Sequence, residues 1–275
     1  MNRILFEKDE IRDGVATFGD ERAEHVLNVL HGEVGQILKT GEVDGPIGTS
    51  EILEILRTNG EAVSSPLQQG DVTSITVRCT HDQESLRPWI DLILAPPRPR
   101  VMKRLLPQLA TMGVGRIFLV GAKKVEKDFW GATLLKPENY RPLLIDGLMQ
   151  AGTSVLPTLE TRRNFRKFVK EELDAFWPAA KRIVAHPYGA KDARRETTDA
   201  RLPSSVSRPS GLVSQALSSP PRLLLAVGPE GGWTDEEVAL LEEHGFTRYS
   251  LGSRILRTDT ATIALLAQLM KDFDR

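Results

Sequence analysis

From residue 89 onward the hydrophobic positions gather into short unbroken runs of strand length, each followed by apolar positions at helical spacing. Trp89–Ala95 (WIDLILA) is the first such run. Pro96, Pro97, Arg98, Pro99 and Arg100 stop it, and Val101, Leu105, Leu109 and Met112 then share one helical face that Gly113 closes. Pro107 inside this helix removes a backbone donor and predicts a kink. Arg116–Val120, Arg182–Ala185 and Leu223–Val227 repeat the apolar run. Strands of this kind alternating with helices through short connections predict an α/β fold with a parallel sheet. Phe165, Phe168 and Leu173 fall on one face of a further helix and belong to the core. Leu223–Val227 ends at Gly228, Pro229, Glu230, Gly231 and Gly232, a sequence that only a loop accommodates. Thr234 with Glu237 three residues on is a capping box for a helix ending near His244 and Gly245. Tyr249–Leu251 predicts another strand, Gly252, Ser253 and Arg254 turn the chain, and Thr258 or Asp259 caps a last helix with Ala261, Leu265, Leu266 and Leu269 on its apolar face.

The pattern before residue 80 is different. Ile4–Phe6, Val34–Leu38, Thr49–Leu56 and Val72–Val77 are strand candidates between glycine-rich turns, and Ala23–Leu30 reads as a short helix. Too little apolar material is present for a second large core, so a compact β-barrel over residues 1–80 is expected. His81–Arg87 has no apolar periodicity and reads as a polar connector, which places a second domain at 86–275. Within it, residues 191–222 carry four Pro and many Ser, Arg and Thr and are expected to form a mobile insertion.

Composition changes this picture in three ways. At 275 residues, 40% hydrophobic and 27% charged, the chain is a globular protein rather than a disordered one. No run of eighteen apolar residues occurs and the first ten residues carry charges, so no membrane association and a cytoplasmic location are expected. The lone Cys79 offers neither an internal disulfide nor a metal cluster. Charge is divided unevenly: residues 1–75 hold six Lys and Arg against fourteen Asp and Glu, a net of −8, whereas residues 76–275 have a net of +7. Any polyanion would therefore rest mainly on the second domain. Lys123–Lys127 with Trp130 (KKVEKDFW) joins cations to an aromatic ring, a mixture suited to nucleic acid and equally compatible with a solvated loop.

In a parallel sheet, ligands sit beyond the carboxyl ends of the strands, where His186, the Gly228–Gly232 loop and the turn after Leu251 all fall. Neither GxxxxGK[ST] nor GxGxxG is present, which argues against a nucleotide-phosphate site.

GPEGG at 228–232, followed by LGSRILRTDTA at 251–261, resembles the C-terminal signature of the RsmE-type ribosomal RNA (uridine-N3) methyltransferases of the SPOUT class. HVLNVLHGEVGQIL at 25–38 is similar, less closely, to that family's PUA-like RNA-binding module, with His31 at the family's arginine. The family's pattern is also altered at Gln108, Thr111, Met149 and Thr153, while Gln150 is retained, so the chain resembles a divergent member. The resemblance implies a trefoil knot in the C-terminal domain, a homodimer, and S-adenosylmethionine (SAM) as methyl donor. It implies donor contacts from His186, Val227, Gly228, Gly231, Gly232, Leu251, Gly252, Ile255 and Leu256, and a small-subunit ribosomal RNA as acceptor. N3 of uridine loses a proton on methylation, so a base or an anion stabiliser is required. Glu230 is a candidate proton acceptor and Arg257 a candidate stabiliser of charge on the uracil oxygens; loop-amide and ion-pair roles are their alternatives. Arg3, Arg12, Lys123 and Lys124 are candidate RNA contacts. A non-catalytic RNA-binding protein that keeps the same fold is the alternative reading of the whole.

Overall fold

The computed structural model describes residues 2–57, 72–178, 180–187, 191–192 and 223–273. The chain divides into two compact units. One comprises Met1–Pro88, Leu106–Thr111 and Lys136–Pro157, and the other Trp89–Leu105, Met112–Leu135 and Thr158–Arg275.

The first unit is built on a six-stranded sheet formed by β1 (Ile4–Phe6), β2 (Ile11–Arg12), β3 (Val15–Phe18), β4 (Ile37–Glu42), β5 (Ile47–Arg57) and β6 (Val72–Gln83), in the order β1-β4-β5-β6-β3-β2. Its ladders are antiparallel except β1 with β4. Helix α1 (Glu21–Asn28) starts where the Asp20 carboxylate accepts from the Arg22 N–H, and it buries Ala23, Val26 and Leu27 against Phe6, Phe18, Ile52, Ile75 and Val77. Two expectations need correction. The strand placed at Val34–Leu38 begins only at Ile37, and Val34 is exposed. His81–Gln83, read as the start of a polar connector, completes β6, because partners rather than periodicity hold it there. His81 Nε2 lies 2.8 Å from Thr40 Oγ1, which in turn lies 2.6 Å from Ser50 Oγ. Burial lowers the His81 pKa and keeps the ring neutral.

Helix α3 (Pro137–Ala151) and the residues after it belong to this unit, although in sequence they lie deep within the second domain. Arg141 pairs with Glu7, the Leu156 N–H donates to Asp44 Oδ1 at 2.7 Å, and the buried Ser154 hydroxyl donates to the Gly45 carbonyl at 2.6 Å.

The second unit carries a seven-stranded sheet of β7 (Ile90–Leu94), β8 (Val114–Val120), β9 (Thr158–Arg162), β10 (Arg182–Ala185), β11 (Lys191–Asp192), β12 (Leu223–Val227) and β13 (Phe246–Ser250). The order is β11-β13-β10-β12-β7-β8-β9 and every ladder is parallel. Every residue of β7 and β12 is buried, which is why these strands read as continuous apolar runs rather than as alternation. One sheet face packs Phe118, Val184, Leu224 and Ala226 against Phe165, Phe168, Val169, Leu173 and Trp177. Those residues come from α4 (Phe165–Lys167), a π turn (Phe168–Glu172) and α5 (Leu173–Phe176), which continue one another. Helix α2 (Pro99–Thr111) runs past Pro107, and the Thr111 hydroxyl donates to the Pro107 carbonyl at 2.9 Å. Helices α6 (Asp235–Glu243) and α7 (Thr258–Phe273) follow β12 and β13. The strand expected at Tyr249–Leu251 starts three residues earlier, at the buried Phe246. Of the expected insertion at 191–222, only Lys191–Asp192 is described, as the edge strand beside β13, and the remainder lies outside the described residues.

Candidate active site

Register puts three strand ends at one level. Val184 lies opposite Ala226, and Ala185 opposite Tyr249, so β10 sits between β12 and β13 and all three chains leave the sheet together. The His186 N–H donates to the Tyr249 carbonyl at 3.1 Å, extending the β10–β13 ladder by one residue. Beyond these ends lies a cavity of about 560 Å³, within the ~300–1,000 Å³ typical of small-molecule sites.

The loop after β12 forms one wall. An added Cβ at Gly228 would stand 3.0–3.1 Å from the Trp233 ring and its backbone nitrogen, so any larger residue would have to push the tryptophan back by a few tenths of an ångström. Gly232 has φ of +70°, in the left-handed region, and turns the chain into α6. The capping box expected there is present: the Glu237 N–H donates to Thr234 Oγ1 and the Thr234 N–H donates to Glu237 Oε2 at 2.9 Å. The other Glu237 oxygen accepts the Lys123 N–H at 2.7 Å, so a buried carboxylate ties the start of α6 to the loop after β8. Lys124 follows with Nζ donating to the Gly231 carbonyl at 2.8 Å. From the other side, the buried Thr258 hydroxyl donates to the Gly228 carbonyl at 3.3 Å, and the Thr262 hydroxyl donates to the Thr258 carbonyl at 2.7 Å. The glycine loop is thus fastened at both ends, by β8 and by α7.

His186, Val227, Gly228, Glu230, Gly231, Gly232, Leu251, Ile255 and Leu256 all line this cavity. Gly252 is not among its lining residues; its N–H donates to the Ser250 hydroxyl at 3.2 Å and shapes the second loop. Arg257 does not line it either. Its carbonyl accepts the Ala261 N–H and opens α7, and its guanidinium is 68% exposed with Nε 3.9 Å from Asp259 Oδ1. Lys124, a candidate RNA contact, lines the cavity, and the Lys123 side chain is exposed. Arg12 is exposed in the first unit, whereas Arg3 is half-buried with its guanidinium donating to the carbonyls of Thr40, Gly48 and Gly152 at 2.5, 2.8 and 3.0 Å. Those bonds engage its Nε and Nη1. Sequence reading missed Trp233, Tyr249, Arg254 and Thr258 as lining residues. Trp233 stands directly after GPEGG, and Arg254 and Thr258 lie inside LGSRILRTDTA, so the motifs themselves carried the available signal.

The wall joins glycine backbone and aliphatic side chains to the charged residues Lys124, Glu230, Asp235, Arg248 and Arg254. Such a lining suits a flat, neutral base whose edge is read by main-chain groups. Among the described residues no group of His, Cys, Asp and Glu is placed to hold a metal ion.

Residues 84–270 match the family model of the RNA methyltransferase domain, most of the chain. The chain belongs to this RNA methyltransferase family. Its similarity extends beyond the domain. The ribosomal RNA small subunit methyltransferase E of Treponema pallidum (strain Nichols) is 29% identical over 98% of this chain and 91% of its own length. Methyltransferase E 1 of Borreliella burgdorferi is 24% identical over 96% and 95%. The crystal structure of a ribosomal RNA small subunit methyltransferase E from Neisseria gonorrhoeae bound to S-adenosyl methionine shares the fold, with a TM-score of 0.66 at 21% identity over 98% of this chain and 97% of that one. A Legionella pneumophila methyltransferase solved with SAM gives 0.65 at 24% over the same shares. The RsmE-type resemblance carried by Gly228–Gly232 and Leu251–Ala261 is thereby borne out, and this methyltransferase is an enzyme of the α/β class with a parallel sheet.

Proposed function

We propose that this chain transfers the methyl group of SAM to N3 of a uridine in small-subunit (16S) ribosomal RNA. The carrying observation is the cavity at the ends of β10, β12 and β13, walled by the two glycine-bearing loops and lacking a phosphate-binding motif. The names of the relatives support small-subunit ribosomal RNA as the acceptor, and the SAM-bound titles of two structural neighbours support the donor.

His186, Val227, Gly228, Gly231, Gly232, Leu251, Ile255 and Leu256 would hold the donor, with Gly252 shaping the second loop. SAM supplies an electrophilic methyl on a sulfonium, and the protein supplies alignment. The Glu230 carboxylate, on the cavity wall, is the proton acceptor for the uracil imide. Arg257 stabilises the charge that develops on the uracil oxygens; its only ion pair among the described residues is the long, exposed one to Asp259, which leaves the guanidinium available. Residues 1–80 and 86–275 are the RNA-binding and catalytic halves of this reading, the first a PUA-like β-barrel and the second a trefoil-knotted SPOUT domain. The insertion of β10 between β12 and β13 is the feature of strand order that supports the knot. An enzyme acting on ribosomal RNA works where ribosomes are assembled, which for this reading is the cytoplasm.

Calorimetric titration of SAM checks the donor, and nucleoside mass spectrometry of methylated ribosomal RNA checks the acceptor. Wild type is expected to bind SAM and to yield 3-methyluridine. Gly228→Ala is expected to weaken SAM binding at least about tenfold, roughly 1.4 kcal/mol, because the new methyl displaces the Trp233 ring or the loop. Equal affinity for wild type and variant would remove the donor from this cavity, and absence of 3-methyluridine would remove the acceptor assignment.

A homodimer through the C-terminal unit belongs to the same proposal. Ile255 is 75% exposed and Leu256 36% at the cavity rim, and Ala261, Ile263 and Ala264 on α7 are partly exposed. A second copy covering them would withdraw apolar surface from water. Sedimentation velocity at micromolar concentration is expected to give twice the chain mass, with Ile255→Asp shifting it toward one chain; a monomeric wild type that still methylates would end the dimer reading.

A further inference from the structure

We infer that a groove on the second unit, walled by the loop after β8, the turn between β9 and α4 and the start of α6, is the track for a single-stranded segment of the RNA substrate. This rests on the RNA methyltransferase reading and names the surface that the acceptor strand crosses. The groove has a volume of about 530 Å³, and Lys123, Arg163, Asn164, Arg166, Glu236 and Glu237 are among its lining residues.

The charges do not cancel. Glu237 directs both oxygens at backbone N–H groups, those of Lys123 and Thr234, and Glu236 is taken by Arg166 at 2.6 Å. Lys123 and Arg163 are exposed and have no ion pair among the described residues; with Arg166 they set three cations against two carboxylates, a net of +1 at the groove. Arg163 Nη2 donates to the Trp130 carbonyl at 3.2 Å and its guanidinium stands 5.7 Å from the centre of the Trp130 ring. Trp130 is half-buried, with Phe129 edge-on beneath it. Trp130 is not among the groove's lining residues but is held to Arg163, which is; an exposed guanidinium held to an indole and an exposed ammonium on the same groove match what an unpaired RNA strand offers, flat bases to stack and phosphates to neutralise.

Two observations favour a nucleic acid here over a small anion. The first 75 residues carry a net of −8 and Arg3 is engaged on carbonyls, so most electrostatic attraction for phosphate must come from the second unit. The groove also shares the Lys123–Lys124 edge with the cavity: Lys123 lines the groove and Lys124 lines the cavity while holding the Gly231 carbonyl. A strand lying on Lys123 and Arg163 therefore arrives at the glycine loop itself.

The test is a fluorescence titration of the full chain with a labelled 12-nucleotide single-stranded RNA of mixed sequence, repeated across salt concentration, for wild type, Lys123→Ala/Arg163→Ala, Trp130→Ala and Trp130→Phe. Glu237 holds the backbone of Lys123, so both alanines leave the capping contact in place. The double variant is expected to bind RNA at least tenfold more weakly and to lower the slope of log K against log salt by about 1.4, two single-strand phosphates' worth. Trp130→Ala is expected to weaken binding with the slope unchanged, and Trp130→Phe to restore most of it, whereas a purely structural tryptophan would move the melting temperature instead. SAM affinity is expected to be the same in all four proteins. Wild-type RNA affinity and slope in the double variant would overturn the track, whatever SAM does. Failure of wild type to bind SAM would count against the proposed function alone.

Discussion

Arg257→Ala is expected to lower kcat by about 10²–10³-fold, roughly 2.7–4 kcal/mol of transition-state stabilisation, with SAM affinity and melting temperature nearly unchanged. The backbone of Arg257 is fixed, since its carbonyl opens α7 by accepting the Ala261 N–H, and alanine keeps that bond. Its side chain is 68% exposed, and the 3.9 Å approach to Asp259 is an exposed pair worth at most about 1 kcal/mol. Asp259 also stands 3.7 Å from Arg104, so it keeps a cation nearby when Arg257 is gone. A guanidinium at the positive end of a sixteen-residue helix gains little by itself. An anion brought by the substrate reverses that balance, as a uracil losing its N3 proton or an adjoining phosphate does. Single-turnover methyl transfer, calorimetry with SAM and thermal melting together decide the matter. A large fall in melting temperature with a proportionate fall in rate would make Arg257 a structural residue.

Asp91→Ala is expected to destabilise the second unit by about 3–5 kcal/mol, the loss associated with removing one partner of a buried ion pair. Asp91 lies on β7 in the middle of the parallel sheet and is wholly buried. Its Oδ1 accepts the Arg116 N–H at 2.9 Å; its Oδ2 accepts Arg116 Nε at 2.9 Å and the Trp177 indole N–H at 2.7 Å. The Arg116 guanidinium in turn lies 4.8 Å from the Trp177 ring centre. Alanine leaves that guanidinium and a buried indole N–H without their acceptor, at about 1–3 kcal/mol for the indole alone. Urea unfolding measures the loss, and Asp91→Asn, which keeps an acceptor of the same shape, is expected to recover part of it. An alanine variant within 1 kcal/mol of wild type would show that water satisfies the site.

Much of the architecture was legible in the chain, for identifiable reasons. A parallel sheet covered on both faces turns its strands into unbroken apolar runs, so β7, β8, β10 and β12 were visible without alternation. The Thr234–Glu237 capping box was readable because a cap is made within four residues. The glycines of 228–232 and their resemblance to a known signature pointed to the loop that walls the cavity. Boundaries were less legible where partners, not periodicity, extend a strand: His81 belongs to β6, its Nε2 hydrogen-bonded to the hydroxyl of Thr40, forty-one residues away.

What the chain determined by itself was local: strand runs, caps, glycine loops and the surplus of acid before residue 75. The tertiary structure alone decided what those pieces meet. It inserts β10 between β12 and β13, so that loops far apart in sequence share one cavity, and it closes Lys124 onto the Gly231 carbonyl 107 residues away. It also turns Arg3 inward onto three carbonyls, gathers α3 with the N-terminal sheet and brings the Arg163 guanidinium over the Trp130 ring. The physical reason is that strand order and the partners of long charged side chains are set by packing and by which backbone groups lack another partner. Both depend on distant parts of the chain and leave no periodic trace in the sequence.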